Sequence, residues 1–170
     1  GVARTLGFHY LDSGALYRVV ALSALRRAAD LENASEVADI ARNLNIIFSE
    51  SRFQAGGRDV TDEIRLEKVG AAASRVAALP EVRRALLDRQ RAFRQPPGLV
   101  AEGRDMGSVV FPDATVKVFL TATPEERARR RYKQLMEKGL SASMGALLQE
   151  IRDRDARDSG RAAAPLQKVA

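Results

Sequence analysis

The feature that most limits how this chain can fold is a short unit near its start. Phe8-His9-Tyr10-Leu11 is a β-prone run, Asp12-Ser13-Gly14 is a polar turn, and an apolar-periodic helix follows over about 15–27. Strand, tight turn, helix is the building unit of α/β folds. Leu99-Val100-Ala101 begins a second such unit, a core strand running into Glu102-Gly103-Arg104-Asp105, and Val116-Lys117-Val118-Phe119-Leu120 reads as a third strand. These runs predict a largely parallel sheet with helices on its faces.

The rest of the chain fits around that sheet. The opening Gly1-Val2-Ala3-Arg4-Thr5-Leu6-Gly7 reads as a helix end closed by Gly7, and helices are expected over about 35–44, 67–78, 81–94 and 144–157. Pro80 suits the first position of one of them, and Pro96-Pro97-Gly98 ends it. Thr123-Pro124-Glu125-Glu126 is a capping box with proline at the first helical position, so a helix to about Lys138, stopped by Gly139, is predicted. Between these, Ile46-Ile47-Phe48 is a strand. Arg52-Phe53-Gln54 and Arg58-Asp59-Val60 flank the turn Ala55-Gly56-Gly57, which makes a small antiparallel insert reaching about Arg65.

Composition narrows the chemistry. At 170 residues the chain fits one domain with a small insert, and 28 Lys+Arg against 22 Asp+Glu give a net charge of +6. Five of those cations are lysine, and the remainder are arginine, whose rigid fork meets phosphate and carboxylate oxygens two at a time. With no cysteine, disulfides, thiolate catalysis and Cys-type zinc sites are excluded, in keeping with a cytoplasmic setting. No apolar run approaches the ~18 residues of a membrane span. The single histidine, His9, lies within a strand and is given a structural role, so no Ser-His-Asp triad is available and no all-protein metal cage is expected. Met106, Met136 and Met144 read as packing residues.

Four constellations bear on function. In the last helix the stripe Leu147, Leu148, Ile151 continues on the same face as Arg154, Arg157, Asp158 and Arg161. Unpaired charge is costly to bury, so this helix end either projects into solvent or closes over an anion. Glu102-Gly103-Arg104-Asp105-Met106-Gly107 stands at the end of a core strand, where open α/β sheets bind ligands. Asp12-Ser13-Gly14 opens a helix whose free N–H groups suit an anion, with Tyr17 and Arg18 one turn on; plain capping by Asp12 or Ser13 explains the same residues without a ligand. In the helix after Thr123, a buried face of Ala128, Tyr132, Leu135 and Met136 puts Arg131 at its flank and Arg130 on the far side.

Together these blocks resemble the bacterial cytidylate kinases, P-loop nucleoside-monophosphate kinases, over nearly the whole length. The resemblance rests on Leu11–Arg18, on Arg89-Gln90-Arg91-Ala92-Phe93-Arg94, on Gly103–Pro112 and on Arg154–Arg161 with Pro165-Leu166. It implies a P-loop kinase-type α/β fold with an antiparallel insert and a helical lid, and transfer of the ATP γ-phosphoryl group to CMP or dCMP with Mg2+. It implies that Ser74, Arg83 and Asp105 read the cytosine ring, that Ser13, Asp158 and Arg154 hold the sugar side, and that Arg18, Arg104 and Arg161 clamp the acceptor phosphate. Tyr17 joins the substrate site, and Arg131 and Arg157 are candidates for the transferring group. The expected layout is a core over 1–44 and 79–140, a monophosphate-binding insert over 45–78, a lid over 141–165 and the start of a closing segment over 166–170. The partners implied are CMP or dCMP and ATP, with no nucleic acid and no membrane, and a monomer is expected.

One departure is plain in the sequence. The Gly-rich loop with its Lys and Ser/Thr, on which ATP phosphates and magnesium rest in that family, does not occur in these 170 residues. The central strand preceding it and the last strand are likewise expected to lie outside this chain, which reads as a piece of a longer kinase. The rival readings are a small P-loop kinase with another acceptor, an Arg-rich nucleic-acid-binding module, and a remnant that binds the acceptor alone.

Overall fold

A computed structural model describes residues 1–49, 52–137, 139 and 141–160. Helix α1 (Val2–Leu6) ends at Gly7, which adopts the left-handed conformation (φ 64°) and donates its N–H back to the Arg4 carbonyl. Strand β1 (His9–Asp12) leads directly into α2 (Ser13–Arg26), and the Asp12 carboxylate caps that helix by accepting from the Ala15 N–H at 2.8 Å. Of the two capping residues the sequence allowed, the structure selects Asp12 and leaves Ser13 buried. Helix α3 (Ala34–Asn43) is capped in the same way by Asn33.

The insert forms next. β2 (Ile46–Ser49), β3 (Arg52–Ala55) and β4 (Arg58–Asp59) make an antiparallel sheet, with Gly56 and Gly57 at φ 56° and 77° between β3 and β4. Two successive positive φ angles define the turn whose twist matches a two-residue hairpin, which explains the Gly-Gly pair. A 3₁₀ turn at Glu63–Arg65 joins the insert to α4 (Glu67–Val76), and α5 (Pro80–Arg91) follows. β5 (Leu99–Glu102) pairs parallel with β1, His9 opposite Leu99 and Asp12 opposite Glu102.

Past β5, a π-helical turn spans Met106–Val110, its Val110 and Phe111 N–H groups bonding to the Asp105 and Met106 carbonyls five residues back. The last helices are α6 (Pro124–Glu137) and α7 (Met144–Gly160). The capping box is reciprocal: the Glu126 N–H donates to Thr123 Oγ1, and the Thr123 N–H donates to the Glu126 carboxylate, both at 3.2 Å.

The main core lies among α2, α3, α4 and α5, where Leu16, Val20, Val37, Val69, Val82 and Leu86 are fully enclosed; Phe53, Val60 and Ile64 of the insert join it. A smaller cluster of Leu11, Met106, Val110 and Phe111 sits under the two parallel strands. The sheet and the main core meet at α2, which contacts both β5 and α4.

Two expectations are corrected. Val116–Leu120 forms no regular element and pairs with no strand among the described residues, and Val116, Val118 and Leu120 are 75%, 75% and 89% exposed. Its alternation is that of a strand, yet a strand needs a hydrogen-bonding neighbour, and none lies beside it here. In α6 the expected buried face shrinks to Ala128, with Tyr132 and Leu135 half-buried and Met136 exposed, because α7 covers one narrow stripe of that helix. Met144 is exposed as well, so of the three methionines Met106 alone packs in a core.

Candidate functional site

Asp105 ends the turn after β5 and is buried. The Arg83 guanidinium from α5 donates to its carboxylate through one nitrogen and to the Ala77 carbonyl at 2.9 Å through the other. Arg83 also stands 5.7 Å from the centre of the Tyr17 ring. Tyr17, Arg83 and Asp105, far apart in sequence, are thus one unit with donors and an acceptor held at fixed positions. Ser74, one turn before Ala77, receives the Arg157 Nε–H at 3.4 Å.

A second unit gathers positive charge. Arg104 Nη1 lies 3.1 Å from the Asp158 carboxylate, and Arg154 Nε lies 3.8 Å from the same oxygen. Asp158 is buried and Arg154 half-buried, so this part of the charged face of α7 turns inward, while Arg157 is exposed. Arg18 donates to the Ile64 carbonyl at 2.7 Å. Burial, and then the nearby Arg154, hold the Arg18 guanidinium below its usual pKa; burial, and then Arg104, do the same to Arg154. Arg154 Nε is buried without a hydrogen-bond partner among the described residues. Cations crowded out of water raise the affinity of the space between them for an anion.

That space is open. A cavity of about 250 Å³ lies at the N-terminus of α2, lined by Asp12, Gly14, Arg18, Phe53, Arg65 and Arg131. Arg131 reaches it from α6 and donates to the Arg65 carbonyl and to Glu67, both at 3.3 Å. Arg130, as expected from the helix register, faces away and is exposed. A larger hollow beside Asn33, Glu36 and Asp39 lies on the outer side of α3 and shares none of these residues.

Ser13 is buried and accepts from Gln90 Nε2 at 2.9 Å, while Gly103 passes so close that a Cβ there would stand 3.0 Å from the Ser13 Cβ. The structure therefore brings together Arg18, Arg104, Arg131, Arg154 and Asp158, and separately Tyr17, Ser74, Arg83, Asp105 and Arg157. It does not join Arg131 to Arg157: one contacts Glu67 and the other Ser74, residues about 10 Å apart along α4. Arg161 lies outside the described residues.

Glu67 and Gly70 are residues that sequence reasoning passed over, and Gln90 entered it only as part of a motif, with no role of its own. Gln90 carried a usable signal. It falls on the stripe Val82, Leu86, Gln90 of α5, and a primary amide on a buried stripe must find a partner. The arginines of its block serve the scaffold instead: Arg89 donates to the Leu44 carbonyl beyond α3, Arg91 to the Val110 carbonyl, and Arg94 pairs with Asp113. His9 keeps its structural role, its Nε2 standing 3.0 Å from the Pro96 carbonyl. Among the described residues no three His, Cys, Asp or Glu side chains gather as a metal site, and no helix is long and apolar enough to cross a membrane.

Helices around parallel strands, a small antiparallel sheet and a basic hollow at strand ends define an α/β protein of the P-loop kinase type. The family model for cytidylate kinase matches residues 1–170. Similar curated proteins are the cytidylate kinases of Nitrosomonas europaea, 56% identical over 98% of this chain and 75% of that protein, and Burkholderia pseudomallei, 59% identical over 99% and 74%. That of Bordetella pertussis is 58% identical over 99% and 76%. The chain belongs to the cytidylate kinase family.

Proposed function

We propose that the chain serves transfer of the ATP γ-phosphoryl group to CMP or dCMP. The acceptor's phosphate oxygen forms a bond to the γ-phosphorus, the bond from that phosphorus to the β-bridging oxygen breaks, and (d)CDP and ADP result. The observation that carries this reading is that Arg18 and Arg131, from separate segments, line one hollow, while Arg104 and Arg154 gather at Asp158 with Arg154 close enough to Arg18 to repel it, and Arg154 Nε has no hydrogen-bond partner among the described residues. Phosphoryl transfer asks for positioning and charge neutralisation more than covalent chemistry, which suits arginines without a catalytic histidine. Magnesium enters with ATP as part of the substrate complex, and no residue here is assigned to it.

In this reading Arg83 and Asp105, with Ser74, meet the donor and acceptor edge of cytosine. A base with the opposite pattern would leave buried polar groups unpaired, which is how selectivity arises. Ser13, Arg154 and Asp158 hold the sugar side, and Arg18 and Arg104, joined by Arg161, clamp the acceptor phosphate. Arg131 and Arg157 approach the transferring group once the lid over 141–165 closes on the insert over 45–78. That closure brings α7, with α6 packed against it, toward the site and keeps water from the phosphoryl group. Calorimetric titration of the chain with CMP, UMP and AMP tests the reading. CMP should bind at least about ten-fold more tightly than the others, the discrimination that one unmatched buried polar contact supplies. UMP or AMP binding as tightly as CMP refutes it.

A further inference from the structure

Helix α4 passes Arg18 at Gly70. A Cβ on Gly70 would stand 2.9 Å from Nη2, 3.1 Å from Nη1 and 3.3 Å from Cζ of Arg18. Both terminal nitrogens are nearer than Cζ, so the guanidinium turns its Nη1/Nη2 edge toward the helix at this residue. Its edge is fixed by the bond from Nη1 to the Ile64 carbonyl, so Arg18 is located from two directions. Gly70 lies within the regular helix Glu67–Val76, and its φ is not among the positive ones. Backbone freedom is therefore not what glycine supplies here. Alanine would favour the helix, and the absence of a side chain serves the space above it.

We propose that Gly70 is a positioning residue for the acceptor phosphate: its bare Cα is the floor on which the Arg18 guanidinium rests facing the hollow. A methyl group at this position lifts that guanidinium, the far end of a flexible side chain, without forcing the backbone to move. The inference rests on the reading of Arg18 as a phosphate clamp and adds the residue that sets its height. It predicts an uncommon combination, a substitution that leaves folding intact while weakening recognition of one chemical group.

The test compares Gly70→Ala with the unaltered chain, each with Arg18 present and with Arg18→Met, by calorimetric titration with CMP and, by competition, with cytidine, which lacks the phosphate. Gly70→Ala should melt no lower than the unaltered chain, bind CMP about ten-fold more weakly, and bind cytidine within about two-fold, the pattern of a damaged charge-assisted contact. In the Arg18→Met background Gly70→Ala should change CMP affinity by less than about two-fold, since the group it acts through is gone. Unchanged CMP affinity, equal loss for CMP and cytidine, loss that persists without Arg18, or failure of Gly70→Ala to fold each overturns the assignment. If the unaltered chain holds CMP no better than cytidine, the phosphate-clamp reading itself has failed, and the inference falls with it.

Discussion

Replacing Arg83 by methionine keeps much of the side-chain volume and removes the charge that faces Asp105. The side chains of this pair are 11% and 5% exposed, so the small energies of surface ion pairs do not apply. Breaking a buried pair by removing one partner costs about 3–5 kcal/mol, because the other charge stays enclosed without its counter-ion. The Ala77 carbonyl loses its guanidinium donor in the same step, which places the expected loss toward the upper end of that range. Against a typical folding stability of roughly 5–15 kcal/mol, this is a large share. Urea unfolding followed by far-ultraviolet circular dichroism measures it, and the double variant Arg83→Met with Asp105→Leu supplies the control. Since neither charge then remains, the double variant should recover at least half of the loss. A single-variant loss below about 1 kcal/mol, or a double variant that merely adds the two single losses, refutes the picture of a coupled buried pair.

Two further outcomes follow from other parts of the molecule. The Asp155 carboxylate on α7 is held below its usual pKa, chiefly by its bidentate contact with Arg127 of α6. A depressed folded-state pKa stabilises the fold above the ordinary carboxylate value near ~3.9 and loses that contribution as the pH falls through the depressed one. Stability should therefore decline less steeply between about pH 5 and 3 in Asp155→Asn than in the unaltered chain, as read by thermal unfolding at each pH; equal slopes dismiss the contact as a determinant. In the hairpin, Gly57→Val should cost about 1–2 kcal/mol because φ 77° is strained for a branched side chain, whereas Gly57→Asn should cost far less. Thermal unfolding of the two variants checks the order.

What could be read in the sequence was whatever is set by local chemistry. Thr123 and Glu126 announce a helix start because they bond each other, Gly7 and Gly139 announce helix ends because their φ is positive, and Gly56-Gly57 announces its turn for the same reason. The inward face of α7 was half legible: i, i+4 spacing put Arg154 and Asp158 on one side, but that this side is buried depends on Arg104, fifty residues away. Val116–Leu120 shows the limit, since alternation reports a preference while pairing depends on a neighbour. Gly70 was illegible for another reason. Nothing local requires glycine there, and its cause is a side chain contributed by a different helix.

Helix α5 has an unusual position in this network. Successive residues near its end grip different parts of the molecule: Arg89 the segment beyond α3, Gln90 the start of α2, Arg91 the π-helical turn. Such a rod cannot melt by itself, since letting go of one neighbour means letting go of all three. Amide exchange in those regions should then share a single opening free energy rather than a graded series, making the chain's weakest moment a collective one.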